Sequence, residues 1–137
     1  MSLARTANLQ PFPHEAFADL LTANEAYAQS YASSGLTGWA AKGLAVVTCM
    51  DSRIDPLAVL GMSPGDVKIL RNAGARVTPD VLRTLALATA TLGVTRIAIV
   101  QHTDCKMTSA SDAELVDAVA QKTGRPVADF QPLAIVD

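Results

Sequence analysis

No stretch of the chain stays apolar for the ~20 residues that a membrane-spanning helix needs, and no basic-then-apolar leader opens it. A cytoplasmic protein with no membrane partner is the default expectation. Charge is scarce and nearly balanced: 18% of residues are charged and the net charge is −2. Such a chain offers little to nucleic acid or to an anionic membrane surface. Cysteine is scarce as well, with two in 137 residues. Two cysteines build no disulfide framework, and the absence of a Cys-x-x-Cys removes the usual redox pair, so they stand as thiols or metal ligands. Repeats, low-complexity tracts and interdomain linkers are also missing, so residues 1–137 read as a single domain.

What is present is aliphatic. Half the residues are hydrophobic while only 4% are aromatic. Ala, Val and Leu in this proportion suit tight helix-on-sheet packing, with a subunit interface absorbing the surplus apolar surface.

The order of elements points to an α/β fold. Residues from Pro13 to Tyr31 carry Phe17, Leu21, Ala28 and Tyr31 at helical spacing, which predicts an amphipathic N-terminal arm. That arm has no strand partner of its own and must pack on a sheet face or a neighbouring subunit. Leu44–Cys49, Val67–Leu70 and Arg96–Val100 are short runs rich in branched apolar residues, the pattern of buried parallel strands. Leu133–Val136 is a fourth candidate. Between them, Asp55-Pro56 and Thr78-Pro79 each offer a capping side chain followed by proline at the first helical position. Ser111 with Glu114 fits a capping box for a helix ending at Gly124. Pro64-Gly65 occupies the centre of a type II turn. Alternation of this kind predicts a mainly parallel sheet of about four strands flanked by helices, with right-handed crossovers.

The chemistry collects where strands end. Cys49, His102 and Cys105 lie at or just past the carboxyl ends of two predicted strands, which is where open α/β sheets bind ligands. Two thiolates and an imidazole suit Zn²⁺. The fourth position is open to two readings. Asp51 supplies it and the site is closed, or water does and the site is catalytic. Arg53 bears on the choice, because a guanidinium paired with Asp51 holds the carboxylate off the metal. Two thiolates also cancel the charge of the ion, so its water should be less acidic than in an all-histidine site, and activity should rise toward alkaline pH.

Together, Cys49-x-Asp51-x-Arg53, Arg71-Asn72-Ala73-Gly74 and His102-x-x-Cys105 resemble the β-class carbonic anhydrases, the short bacterial type most of all. The resemblance runs from about Leu44 to Met107. It implies zinc, one per chain, held by Cys49, His102 and Cys105, with Asp51 and Arg53 as a catalytic pair. It also implies reversible hydration of CO2 to bicarbonate by zinc-bound hydroxide, in a dimer or higher oligomer. Two features depart from the family pattern. Lys106 stands where a glycine usually follows the second cysteine. The chain also stops at Asp137, where the family continues with more helix and an edge strand, so the C-terminal part of the domain is expected to be incomplete.

Competing readings remain beside this one. Cys49 and Cys105 are alternatively ordinary buried thiols. A phosphatase-type loop is excluded, since only three residues separate Cys49 from Arg53. On the same scaffold, a hydrolase of CS2 or COS, or a zinc- or bicarbonate-binding protein without turnover, are the functional rivals. Asp104 either orients a ligand or faces solvent. His14 reads as a surface residue, Arg71 and Arg83 as ion-pair partners, and Gly74 as serving the backbone.

Overall fold

The structure, a computed structural model, describes residues 11–125. The chain divides into two compact units, one ending at Gly35 and one beginning at Leu36.

In the first unit a short 3-10 turn, His14–Phe17, leads into helix α1, Ala18–Gln29. The helix expected from the apolar spacing is present. Its stripe, however, buries nothing: no residue of α1 is buried, and Leu20 and Tyr27 are each 59% exposed.

The second unit is built on three parallel strands: β1 Leu44–Cys49, β2 Val67–Asn72 and β3 Arg96–Val100. They are ordered β2-β1-β3. The central place of β1 explains its burial, because it is flanked on both edges and all six of its residues are buried. The expectation of full burial fails for the other two. β2 is mostly half-buried, and β3 exposes Ile97 and Ile99 on one face, since each borders only β1 among the described strands. The fourth expected strand, at 133–136, lies outside the described residues. β2 also runs two residues further than its apolar pattern, to Asn72, because Arg71 and Asn72 stay in register with Thr48 and Cys49.

Three further helices follow their sequence signals. α2, Pro56–Leu60, is capped by the Asp55 carboxylate accepting from the Leu57 and Ala58 amides. α3, Pro79–Thr91, is capped by Thr78 and buries Val81, Leu85 and Ala88. α4, Asp112–Thr123, has the reciprocal Ser111–Glu114 capping box. The apolar stripe of α3 packs with Ala45 and Val47 of β1, and with Ala40 and Val94, to form the core. Because side chains alternate along a strand, Val46 and Thr48 point to the opposite face, where they meet Ile54, Pro56 and Leu60 around α2. Helices α3 and α2 thus cover opposite faces of β1, while Ile97 and Ile99 of β3, which share the α3 face with their partners Ala45 and Val47, stay exposed. No helix among the described residues is long and apolar enough to cross a membrane.

Candidate metal centre

In a sheet ordered β2-β1-β3, the chain leaves β1 toward one side for β2 and returns past β1 to add β3 on the other. A crevice opens between the carboxyl ends of β1 and β3, and ligands settle at such a point. The register carries both chain segments to it. Thr48 pairs with Val100, and the buried Thr48 hydroxyl donates to the Val100 carbonyl at 2.9 Å, tying the strand ends together. Cys49 ends β1, while His102 and Cys105 follow β3 on a turn.

These three residues converge. One donor atom from each of Cys49, His102 and Cys105 lies within 4.8 Å of the others. The two sulfurs are 3.9 Å apart and both cysteines are free and buried. Two thiolates each ~2.3 Å from a tetrahedral ion would sit ~3.8 Å apart, so the pair is spaced for a shared metal. The reading of two unrelated buried thiols does not explain His102 in the same cluster.

His102 supplies the test of fit. Its Nδ1 lies 2.8 Å from the Thr103 carbonyl. A carbonyl only accepts, so Nδ1 carries the proton and Nε2 presents its lone pair to the cluster. Among the described residues, Nε2 is the buried side-chain N or O atom left without a hydrogen-bond partner. Buried polar atoms are rarely orphaned, and a metal-binding histidine characteristically donates its other N–H to a carbonyl in this way. Two sulfurs and an imidazole nitrogen prepared like this fit zinc.

Electrostatics favour a thiolate at Cys49. Burial alone pushes the thiol up. The Gly74 amide, which donates to Sγ at 3.4 Å, and the Asp51 amide outweigh that, with His102 and Cys105 assisting, and bring it from 9.0 down to about 7. The adjacent Cys49 sulfur in turn raises His102 above its ordinary value of 6.5. The role of Gly74 is therefore larger than backbone geometry. Its φ of 86° lies in the region that glycine tolerates, and the resulting turn aims its N–H at the sulfur. The Asn72 side chain closes this loop, donating to the Arg76 carbonyl at 2.6 Å and accepting from the Arg76 amide at 2.8 Å. Arg71 braces the facing segment through the carbonyls of Cys49 (2.8 Å) and Asp51 (2.7 Å). The expected ion pair at Arg71 is thus a pair of backbone bonds, whereas Arg83 does pair with Asp80.

Asp51 and Arg53 form a fork beside the cluster. Arg53 Nε donates to Oδ1 at 3.0 Å and Nη2 to Oδ2 at 2.8 Å, while the Arg53 amide also donates to Oδ1. Arg53 holds the Asp51 carboxyl well below the usual carboxylate range. Asp51 Oδ2 lies 3.9 Å from His102 Nε2, so the carboxylate stands next to the cluster with both oxygens engaged elsewhere.

Asp104 completes the arrangement. Its carboxylate accepts from Arg53 Nη1 and its carbonyl from Nη2, both at 3.0 Å. Neither sequence alternative for Asp104 anticipated this contact, and an acid set between two ligands was its only signal. An open cleft of about 670 Å³ lies over the fork, lined by Asp51, Arg53, Asp104 and Lys106 among others. Lys106 opens a 3-10 turn, Lys106–Thr108, and lies outside the positive-φ positions, so its backbone has no need of glycine.

The sequence pattern of the carbonic anhydrase family matches residues 44–131. The chain is 41% identical over 83 residues to beta-carbonic anhydrase 1 of Mycobacterium tuberculosis, covering 61% of this chain and 51% of that protein. It is 40% identical over 81 residues to a carbon disulfide hydrolase of Acidianus, covering 59% of this chain and 40% of that one. The chain therefore spans about half the length, or less, of these relatives. A crystal structure of carbonic anhydrase from Streptococcus mutans superposes with a TM-score of 0.80 at 34% identity, covering 93% of this chain and 76% of the other.

Proposed function

We propose a function on one premise: the chain belongs to the β-class carbonic anhydrase family. Its reaction on this reading is the reversible hydration of CO2 to bicarbonate and a proton. The observation that carries the reading is the orphaned His102 Nε2 among two thiols, beside a carboxylate that an arginine holds aside.

Zinc bound by Cys49, His102 and Cys105 would supply a Lewis acid that acidifies water at a fourth position. The chain's own residues do the rest. Asp51 is the orienting group: ionised and fixed by Arg53, it accepts a hydrogen bond from the attacking water and so turns an oxygen lone pair toward the CO2 carbon. As the new C–O bond forms, the water's O–H bond breaks and the proton passes out through the cleft to buffer. Arg53 keeps Asp51 from closing the site, since an unpaired carboxylate this near would compete for the cation. The cleft is lined by Arg53 and Lys106 together with the carboxylates of Asp51 and Asp104, so its charges balance.

Relatives named as carbon disulfide hydrolases raise a second reading, hydrolysis of CS2 or COS at the same site. CO2 and CS2 are both linear molecules without a dipole, so the lining of the cleft does not separate them, and the assay with each gas decides. Apolar side chains left exposed on β3 and α3 (Ile97, Ile99, Leu82, Leu87) support a homodimer or larger homo-oligomer. A cytoplasmic location agrees with the free thiols.

The test is the stopped-flow rate of CO2 hydration by zinc-loaded protein, run alongside CS2 and COS. Hydration well above the buffer rate is expected. Background rates with CO2 but turnover of CS2 or COS would transfer the assignment to the sulfur substrates, and background rates with all three would leave a metal-binding protein without turnover.

A further inference from the structure

Arg53 is 60% exposed in its side chain, yet it makes five hydrogen bonds to two acidic residues fifty-three positions apart in sequence. A long side chain this open to water does not hold one rotamer without opposition, because confinement costs it conformational entropy. The fork to Asp51 comes from its own segment, two residues away. The second anchor comes from the turn between His102 and Cys105. Nη1 meets the Asp104 carboxylate and Nη2 its carbonyl, so the guanidinium plane is gripped from both sides.

The backbone of Asp104 is arranged for that grip. Its φ is 55°, in the left-handed region that non-glycine residues seldom enter and that Asp tolerates better than most. This conformation turns the Asp104 carbonyl toward Arg53 while leaving Cys105 buried in the cluster. One residue thus couples the ligand turn after β3 to the fork after β1.

We propose that Asp104 is a positioning residue. By anchoring Arg53, it keeps both Asp51 oxygens on the guanidinium and thereby keeps the fourth position of the metal centre open to an outside ligand. The proposal rests on the reading of Asp51 and Arg53 given above, and it concerns the balance between open and closed sites, not the chemistry of CO2.

Two variants separate the carboxylate from the backbone. Asp104→Gly keeps the left-handed turn and the carbonyl but removes the side chain. Asp104→Asn keeps a neutral acceptor as well. The probe is azide binding to the cobalt(II)-substituted protein, followed by visible absorption. A site that Asp51 closes cannot take azide, so the apparent affinity falls in proportion to the open fraction. Azide affinity is expected to fall at least ~3-fold in Asp104→Gly, and by a smaller factor in Asp104→Asn, with cobalt still bound at one per chain. Exchange of the Arg53 Nε–H, read by NMR on the zinc-loaded protein, should quicken in the same order.

Azide affinity within twofold of the parent in both variants would overturn the proposal, as would an unchanged Nε–H. Should Asp104→Gly fail to hold cobalt, Asp104→Asn alone decides. Loss of metal from both would overturn it too, by showing that Asp104 builds the ligand turn instead of positioning Arg53. Neither readout needs turnover, so a parent protein inactive with CO2 would sink the proposed function and leave Asp104 still on trial.

Discussion

Cys49 Sγ lies 3.9 Å from Cys105 Sγ, although fifty-six residues separate them in the chain. That closeness follows from the pairing of β1 with β3, which sets Thr48 opposite Val100. A metal shared by the two sulfurs would fasten together the ends of two strands, and the chain's stability becomes linked to its metal.

Replacing Cys49 by serine should abolish stoichiometric metal binding, and a chelator should lower the thermal midpoint of the parent but not of the variant. Zinc content by elemental analysis and scanning calorimetry check both. Zinc retained at one per chain in Cys49→Ser would remove Cys49 from the ligand set.

Metal affinity should depend on pH through the same residue. A coordinating thiol must lose its proton, and Cys49 does so at about 7 in the folded metal-free chain. Above that pH the metal displaces no proton from Cys49. Below it, each unit of acidification should weaken zinc binding by up to about tenfold through this group alone. Competition with a chromophoric chelator measures it, and an affinity that does not change below pH 7 would contradict the assignment.

Arg53→Ala should leave zinc bound but free Asp51 to approach it. CO2 hydration should then fall on the order of 10²-fold, the low end of what a lost orienting or proton-handling group costs. Wild-type turnover in this variant would end the idea that Arg53 holds Asp51 aside.

Hydration by the zinc-loaded parent should climb across about pH 6.5 to 9, because two thiolates neutralise the ion and leave its water less acidic than under three imidazoles. A rate that peaks near neutrality and then stays flat would mean that the charge on the ligands does not govern the site.

Ser111→Ala should destabilise the fold by ~1 kcal/mol, since the hydroxyl caps α4 and anchors Glu114. The Ser111 amide and hydroxyl hold the Glu114 carboxyl below its ordinary 4.5. A lowered pKa contributes stability above 4.5 that is lost as pH falls through the folded-state value. The gap between parent and variant melting temperatures should therefore narrow on acidification below about 4.5. A gap that is constant with pH would show that Glu114 takes no part.

The sequence by itself determined the local structure. Asp55-Pro56, Thr78-Pro79 and Ser111 with Glu114 cap their helices as their side chains dictate, because capping is settled within four residues. It also singled out Cys49, His102 and Cys105 as candidate ligands, and the fold brings one donor atom of each within 4.8 Å of the others. It misjudged how far burial extends: runs as apolar as Ile97–Val100 look alike in sequence whether a strand lies at the centre or the edge, and strand order is a long-range property. Only the tertiary structure decided that β1 is central, that Gly74 turns its amide onto Cys49, and that Asp104 reaches back to Arg53. Each of these joins residues more than twenty positions apart, brought together by the register of a parallel sheet, and no local spacing encodes that register.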